Sequence, residues 1–125
     1  MTPTQSLIAK LSDATEGSRE MSDAVLLATG WTRRKFGALN CWAHPDGSEC
    51  FNRDRPDPTR DLTAAVSLIP EGWGWRIQNY GGDKIGLAAL MKPGTHIADY
   101  EQGATPELAL TIAALRAREV NTDDL

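Results

Sequence analysis

The chain has 125 residues, a formal net charge of −4, 41% hydrophobic and 24% charged residues. These values are ordinary for a single folded domain and argue against a disordered polypeptide. They also argue against general binding to duplex nucleic acid, which needs a concentrated basic surface. No run approaches the roughly 18 apolar residues that cross a membrane, and no basic segment precedes an apolar block, so we expect a cytosolic protein without a signal peptide.

Two helices are predicted before any strand. Thr2 and Gln5 give a capped start to the first helix, whose buried stripe is Leu7, Ile8 and Leu11. Ser18 is the predicted N-cap of the second helix. Gly30 is predicted to end this helix in the left-handed conformation, after which Trp31 folds back and makes an apolar contact with it. A second apolar stripe recurs at helical spacing and comprises Met21, Ala24, Val25 and Ala28.

Strands and helices then alternate. Residues 39–43 and 49–52 are predicted to form a hairpin around the turn His44-Pro45-Asp46-Gly47, followed by a loop and a helix capped by Thr59. The apolar face predicted for that helix consists of Leu62, Ala65, Val66 and Ile69. Residues 73–80 and 85–91 are predicted to form a second strand pair, with room for one more strand within 92–103. Thr105 and Pro106 begin a last helix, whose core residues are Leu108, Ile112 and Leu115.

Several segments resemble the phage ABA sandwich domain family, small proteins of tailed phages and prophages. They are residues 17–31, Cys41-Trp42, residues 55–58, the helix at 59–70 and the final helix at 103–117, in the family's order and with similar spacing. Residues 70–75 depart from the charged linker that the family often carries there. The resemblance and the element order imply an α+β fold, a compact α/β/α sandwich with a mostly antiparallel sheet of four to five strands covered by about four helices. Residues 1–118 would form this domain, residues 119–125 an acidic disordered tail, and the phage setting implies the host cytoplasm.

The cysteines and histidines give weak chemical signals. Cys41 and Cys50 lie on opposite arms of the first hairpin, where a disulfide is conceivable, although a reducing cytosol favours free thiols. His44 and His96 could complete a metal site, but the spacing matches no zinc pattern. His96 and Asp99 could pair as base and orienter, yet no nucleophile motif accompanies them. We therefore expect no enzyme, no metal and no cofactor.

Aromatic and basic residues suggest a ligand site instead. Trp73 and Trp75 are expected to share a strand face near Tyr80, where at least one is core and the other could stack a nucleobase. The candidate ligand contacts are Arg33, Arg34, Trp73, Trp75, Arg76, Asn79, Lys92 and Asp99. Basic residues cluster at Arg33, Arg34 and Lys35 and again at Arg53, Arg55 and Arg60. These clusters form either a solvated rim between loops or a pocket for a small anion. Arg116 and Arg118 lie towards the end of the final helix, where cations interact favourably with the helix dipole. They could equally line an oligomer interface.

Two functions from different classes follow. The first is a phage accessory protein that binds and sequesters a small nucleotide-type immune signal without turnover. The second is an inhibitor that contacts a host defence protein directly, as anti-CRISPR proteins do. A regulator or scaffold without a ligand is a third, and the charge balance argues against direct DNA recognition. Expected partners are thus an anionic nucleotide or a host defence protein, with self-association but no duplex nucleic acid or membrane.

Overall fold

The computed structural model describes residues 2–80, 85–92 and 100–123. Within them the chain forms an α+β fold with four α-helices and six strands. The helices are α1 (Pro3–Asp13), α2 (Arg19–Ala28), α3 (Leu62–Val66) and α4 (Pro106–Asp123). The strands are β1 (Thr32–Phe36), β2 (Leu39–Ala43), β3 (Glu49–Phe51), β4 (Gly74–Tyr80), β5 (Ile85–Met91) and β6 (Glu101–Gly103).

The strands form two separate antiparallel sheets of three. Sheet A has the order β1-β2-β3 and sheet B the order β4-β5-β6. The prediction of one sheet with four to five strands was therefore wrong. Each sheet consists of strands that follow one another in the chain, so pairing between neighbouring strands is enough to form it. In the sequence, α3 and its flanking loops lie between the two sheets. Strand β1 was not predicted, because its sequence Thr-Arg-Arg-Lys-Phe lacks the apolar alternation of a half-buried strand.

Helix α4 occupies the centre of the molecule. It packs on sheet B on one side and on α1 and α3 on the other. Its buried residues therefore surround the helix instead of forming one stripe. The predicted core residues Leu108, Ile112 and Leu115 are confirmed as buried, along with the residues between them and Ala117. The helix continues through Asp123, beyond the boundary predicted at residue 118.

Two glycines allow α4 to approach sheet B closely. Gly86 and Gly103 are directly paired across β5 and β6. A Cβ atom on Gly86 would lie 2.5 Å from the Pro106 backbone nitrogen, and one on Gly103 would lie 2.6 Å from that of Ala109. The start of α4 thus packs directly against the backbone of sheet B at these two glycines.

The caps of α1 and α2 are confirmed. Thr2 and Gln5 form a capping box, and Ser18 Oγ accepts the Met21 amide at 3.1 Å. Gly30 has φ 101°, and the Trp31 amide donates to the Leu26 carbonyl at 3.0 Å, which is the 6→1 bond of a Schellman motif. The stripe predicted for α2 was partly wrong, since Ala28 is exposed whereas Ser22 and Leu26 are buried.

Helix α3 differs from its prediction. Its N-cap is Asp61, whose side chain accepts the Thr63 amide, and Leu62 is exposed. Thr59 lies two residues before the N-cap Asp61 and is 1% exposed. Its hydroxyl and amide bond to α2 instead, which no local pattern around residue 59 could reveal.

Candidate functional site: a basic cleft beside Trp42

Sheet A presents different chemistry on its two faces. Arg33, Trp42 and Cys50 are directly paired across the three strands and therefore share one face. Arg34, Cys41 and Phe51 are paired in the same way and share the other. Lys35 and its partner Asn40 lie on the Trp42 face because side chains alternate along each strand.

Trp42 is the anchor of this face. It is 2% exposed, and its Nε1 donates to Asn52 Oδ1 at 2.8 Å. The guanidinium carbon of Arg33 lies 5.0 Å from the ring centroid and that of Arg55 lies 5.6 Å from it. An indole N–H can only donate, so the Asn52 oxygen is fixed as its acceptor and the Asn52 NH₂ group remains a donor.

An open cleft of about 610 Å³ runs along β1 and β2, where residues from both faces of sheet A line it together with Asp23 of α2 and Asn52. That volume falls in the range of small-molecule sites. The cleft is lined by Asp23, Arg33, Arg34, Lys35, Asn40, Cys41, Trp42 and Asn52.

The charge of the cleft is positive. Within the described ranges, Arg33 and Lys35 have no ion-pair partner, whereas Arg34 pairs with Glu49 at 3.2 Å. The one carboxylate of the lining, Asp23, is neutralised by Arg19 at 3.0 Å and Arg55 at 2.7 Å. Two unneutralised cations and an amide donor therefore face the same space.

Asp23 connects the cleft to the loop after β3. Burial acts to raise the pKa of Asp23, but the hydrogen bond from Arg55 and the charges of Arg19 and Arg55 outweigh it and hold that pKa below its usual value. Arg19 also donates to the carbonyls of Arg55 and Pro56. The position of Arg55 over Trp42 is thus determined by α2.

A second cluster fixes the same loop to α2. Ser22 Oγ lies 2.7 Å from Thr59 Oγ1 and accepts the Thr59 amide at 3.1 Å. Asp57 accepts hydrogen bonds from Ser22 and Arg60; burial raises its pKa, and these bonds with the charges of Arg19 and Arg60 lower it by more. The basic group of Arg55 and Arg60, considered above as an anion pocket, is therefore engaged by carboxylates.

The predicted ligand residues fall in two places. Arg33 and Arg34 both line the cleft, whereas Trp75 and Arg76 lie on β4 in sheet B. Trp73 precedes β4 and packs against the hydrophobic core, so it does not share a strand face with Trp75, which is 44% exposed. The stacking ring and the phosphate contacts predicted as one site thus belong to different sheets.

Less can be described for the remaining predicted ligand contacts, Lys92, Asn79 and Asp99. Lys92 follows β5 and is half-buried. Asn79 has a backbone position in β4, and Asp99 lies outside the described residues, as does His96. Of the final-helix arginines, Arg116 pairs with Glu101 at 2.8 Å and Arg118 donates to the Leu68 carbonyl. Both therefore bind within the chain.

The sequence placed Lys35 in a basic cluster but not among the ligand contacts, and it did not point to Asn40, Trp42 or Asn52 as site residues. Lys35 adjoins two predicted contacts and could have been included with them. In the sequence, Trp42 stood out only as part of the family resemblance, because the residues that surround it come from β1 and from the loop at residue 55. A tryptophan between two basic segments was the available signal.

The two cysteines do not face each other. Cys41 is paired with Phe51, and Cys50 with Trp42, so the thiols point to opposite faces of sheet A and both are free. Burial, the charge of Asp54 and the nearby Cys41 raise the pKa of Cys50. In the described part of the chain, no three His, Cys, Asp or Glu side chains are grouped to hold a metal ion.

Comparison with protein families, with curated proteins and with solved structures gives no match. Among the helices of the described residues, none is both long and apolar enough to cross a bilayer.

Proposed function

We propose that this chain is a phage or prophage accessory protein that binds a small phosphate-bearing signal of the nucleotide type in the basic cleft and holds it without turnover. The observation that carries the proposal is the pair of cations, Arg33 and Lys35, without a carboxylate partner in the described residues. Phosphate oxygens are suitable acceptors for such donors.

The geometry favours recognition of the phosphate group over the base. The Trp42 ring is buried, and the guanidinium groups of Arg33 and Arg55 lie over it. The donors that remain are charged groups and the Asn52 amide. A nucleobase would then extend from the cleft instead of stacking on an indole.

The biological setting of the proposal comes from sequence resemblance. Membership of the phage ABA sandwich domain family, a role against host defence and a place in the host cytoplasm are all parts of it. A protein that only sequesters a signal needs no catalytic group, so the proposal includes no chemical step.

The test is a binding panel of inorganic phosphate, AMP, cyclic di- and trinucleotides and cyclic ADP-ribose isomers, followed by thermal shift and calorimetry. Arg33→Ala and Lys35→Ala should each weaken binding by about 1–2 kcal/mol, or roughly five- to thirtyfold in Kd. Ligand recovered intact supports sequestration.

Arg53→Ala is the matched control, because Arg53 is 83% exposed and does not line the cleft. It should leave Kd unchanged. Equal affinity in the wild type and in both cleft variants contradicts the assignment of the site. Loss of affinity in Trp75→Ala or Arg76→Ala would place the ligand on β4 instead.

A second candidate function is supported by the opposite face of sheet A. Leu39 is 57% exposed and Phe51 is 51% exposed there, next to the Arg34–Glu49 ion pair. An apolar patch rimmed by charges is typical of a protein-binding surface. An inhibitor of a host defence complex, similar in action to an anti-CRISPR protein, would use it. Failure of the whole ligand panel favours this alternative.

A further inference from the structure

The four outer strands of the two sheets differ in how they resist pairing with another chain. Unpaired edge strands are usually protected by charge, by proline or by shortness. β1 carries three consecutive cations, Arg33, Arg34 and Lys35. β3 and β6 have three residues each. Three of the four edges thus have a protective feature.

β4 is the least protected of the four edge strands. It is seven residues long, contains no proline and has Arg76 as its single charged residue. All seven residues pair with β5 on one side. On the other side no strand of the described ranges pairs with it. Trp75, an aromatic residue favoured at interfaces, is 44% exposed on this strand.

We propose that β4 is the dimerisation edge of this protein, pairing antiparallel with β4 of a second copy. A two-fold axis at Ile77 gives the register in which all seven residues overlap. Ile77 then lies opposite Ile77 of the partner subunit, and the two sheets become one of six strands. Such an isologous contact closes on itself and does not propagate.

The charge pattern of β4 fits this register. Arg76 lies opposite Gln78 of the partner subunit, a neutral residue that can accept its hydrogen bonds. A shift by two residues in one direction would set Arg76 against Arg76 of the partner subunit, which like-charge repulsion disfavours. A shift by one residue would oppose the apolar and polar faces of the sheets. The Ile77-centred register avoids both costs, and that self-complementarity is the reason for choosing a second copy as the occupant.

The register can be tested by charge because Arg76 and Gln78 are both exposed. Sedimentation equilibrium across a concentration series should show a wild-type dimer. Gln78→Lys places two symmetry-related like-charge pairs at the interface and should raise the dimer Kd roughly two- to thirtyfold. Gln78→Glu should lower it by a similar factor. The double variant Arg76→Glu/Gln78→Lys should restore a value near that of the wild type.

Gln102→Lys is the matched control. Gln102 is exposed on β6 and shares the sheet face of Gln78, since both pair with Leu87. It should leave the dimer Kd unchanged. A monomer at every concentration overturns the proposal, as does a dimer that Gln78→Lys does not weaken or that Gln102→Lys weakens equally. None of these outcomes depends on a ligand in the cleft.

Discussion

Asp23 links α2 to the loop that follows β3. It binds Arg19 and Arg55 together, and its side chain is 17% exposed. Without the carboxylate, Arg19 would keep only Asp57 as an ion-pair partner among the described residues, and the Arg55 side chain would keep only its hydrogen bond to the Asn52 carbonyl. Asp23, in the second turn of α2, thus helps to position the Arg55 guanidinium over the Trp42 ring beside the cleft.

Asp23→Asn should therefore lower the free energy of unfolding by about 1–2 kcal/mol at neutral pH. Because the folded-state pKa of Asp23 is depressed, its contribution is present above the unfolded pKa of about 3.9 and is lost as pH falls through the lower folded value. Urea unfolding from neutral pH downwards should show the two proteins converging in acid. Asp54→Asn, at an exposed pair of 3.9 Å, is the control and should change little at any pH.

At the scale of elements, the start of α4 packs closely against the Gly86–Gly103 pair of sheet B. An added methyl group at Gly103 meets the Ala109 backbone, which cannot move without displacing the helix. Gly103→Ala should therefore destabilise the protein by about 1–3 kcal/mol, measured by urea unfolding. Gln102→Ala, on the opposite face of the same strand, should stay within about 0.5 kcal/mol of the wild type. Similar losses in both variants would contradict the packing argument.

Elements with local signals were predictable and those with distant partners were not. Ser18, Gly30 and Trp31 define α2 within one short segment, and residues 85–91 were predicted as the strand β5 with its observed bounds. The role of Thr59 depends on Ser22, 37 residues away. For the candidate site, the clustering of basic residues in the sequence pointed to Arg33 and Arg34, whereas the burial of Trp42 depends on pairing between three strands.

At the scale of the whole molecule, the two sheets are held in place by different kinds of contact. Ala88 and Leu90 of sheet B belong to the hydrophobic core with α1 and α4. Cys41, Trp42 and Ala43 of sheet A are buried but lie outside that core. Polar contacts join the end of sheet A to α2, such as the ion pair between Arg55 and Asp23.

Hydrogen exchange should reveal this difference. Amides of β5 are expected to exchange at least about tenfold more slowly than those of β2, because local opening costs less where fewer apolar contacts are lost. Heteronuclear NMR of the wild type measures both strands at once. Equal protection of the two central strands would show instead that the sheets open as one unit.

The opposed cysteines have a practical consequence for handling the protein. A bond between Cys41 and Cys50 would require β3 to slip by one residue and turn its side chains over, so mild oxidation has no internal disulfide to form. Cys50 is half-buried with a raised pKa, and Cys41 is buried. The raised pKa of Cys50 leaves little thiolate near neutrality, so this thiol should react slowly with alkylating reagents. An exposed cysteine introduced elsewhere should therefore be labelled faster than Cys50.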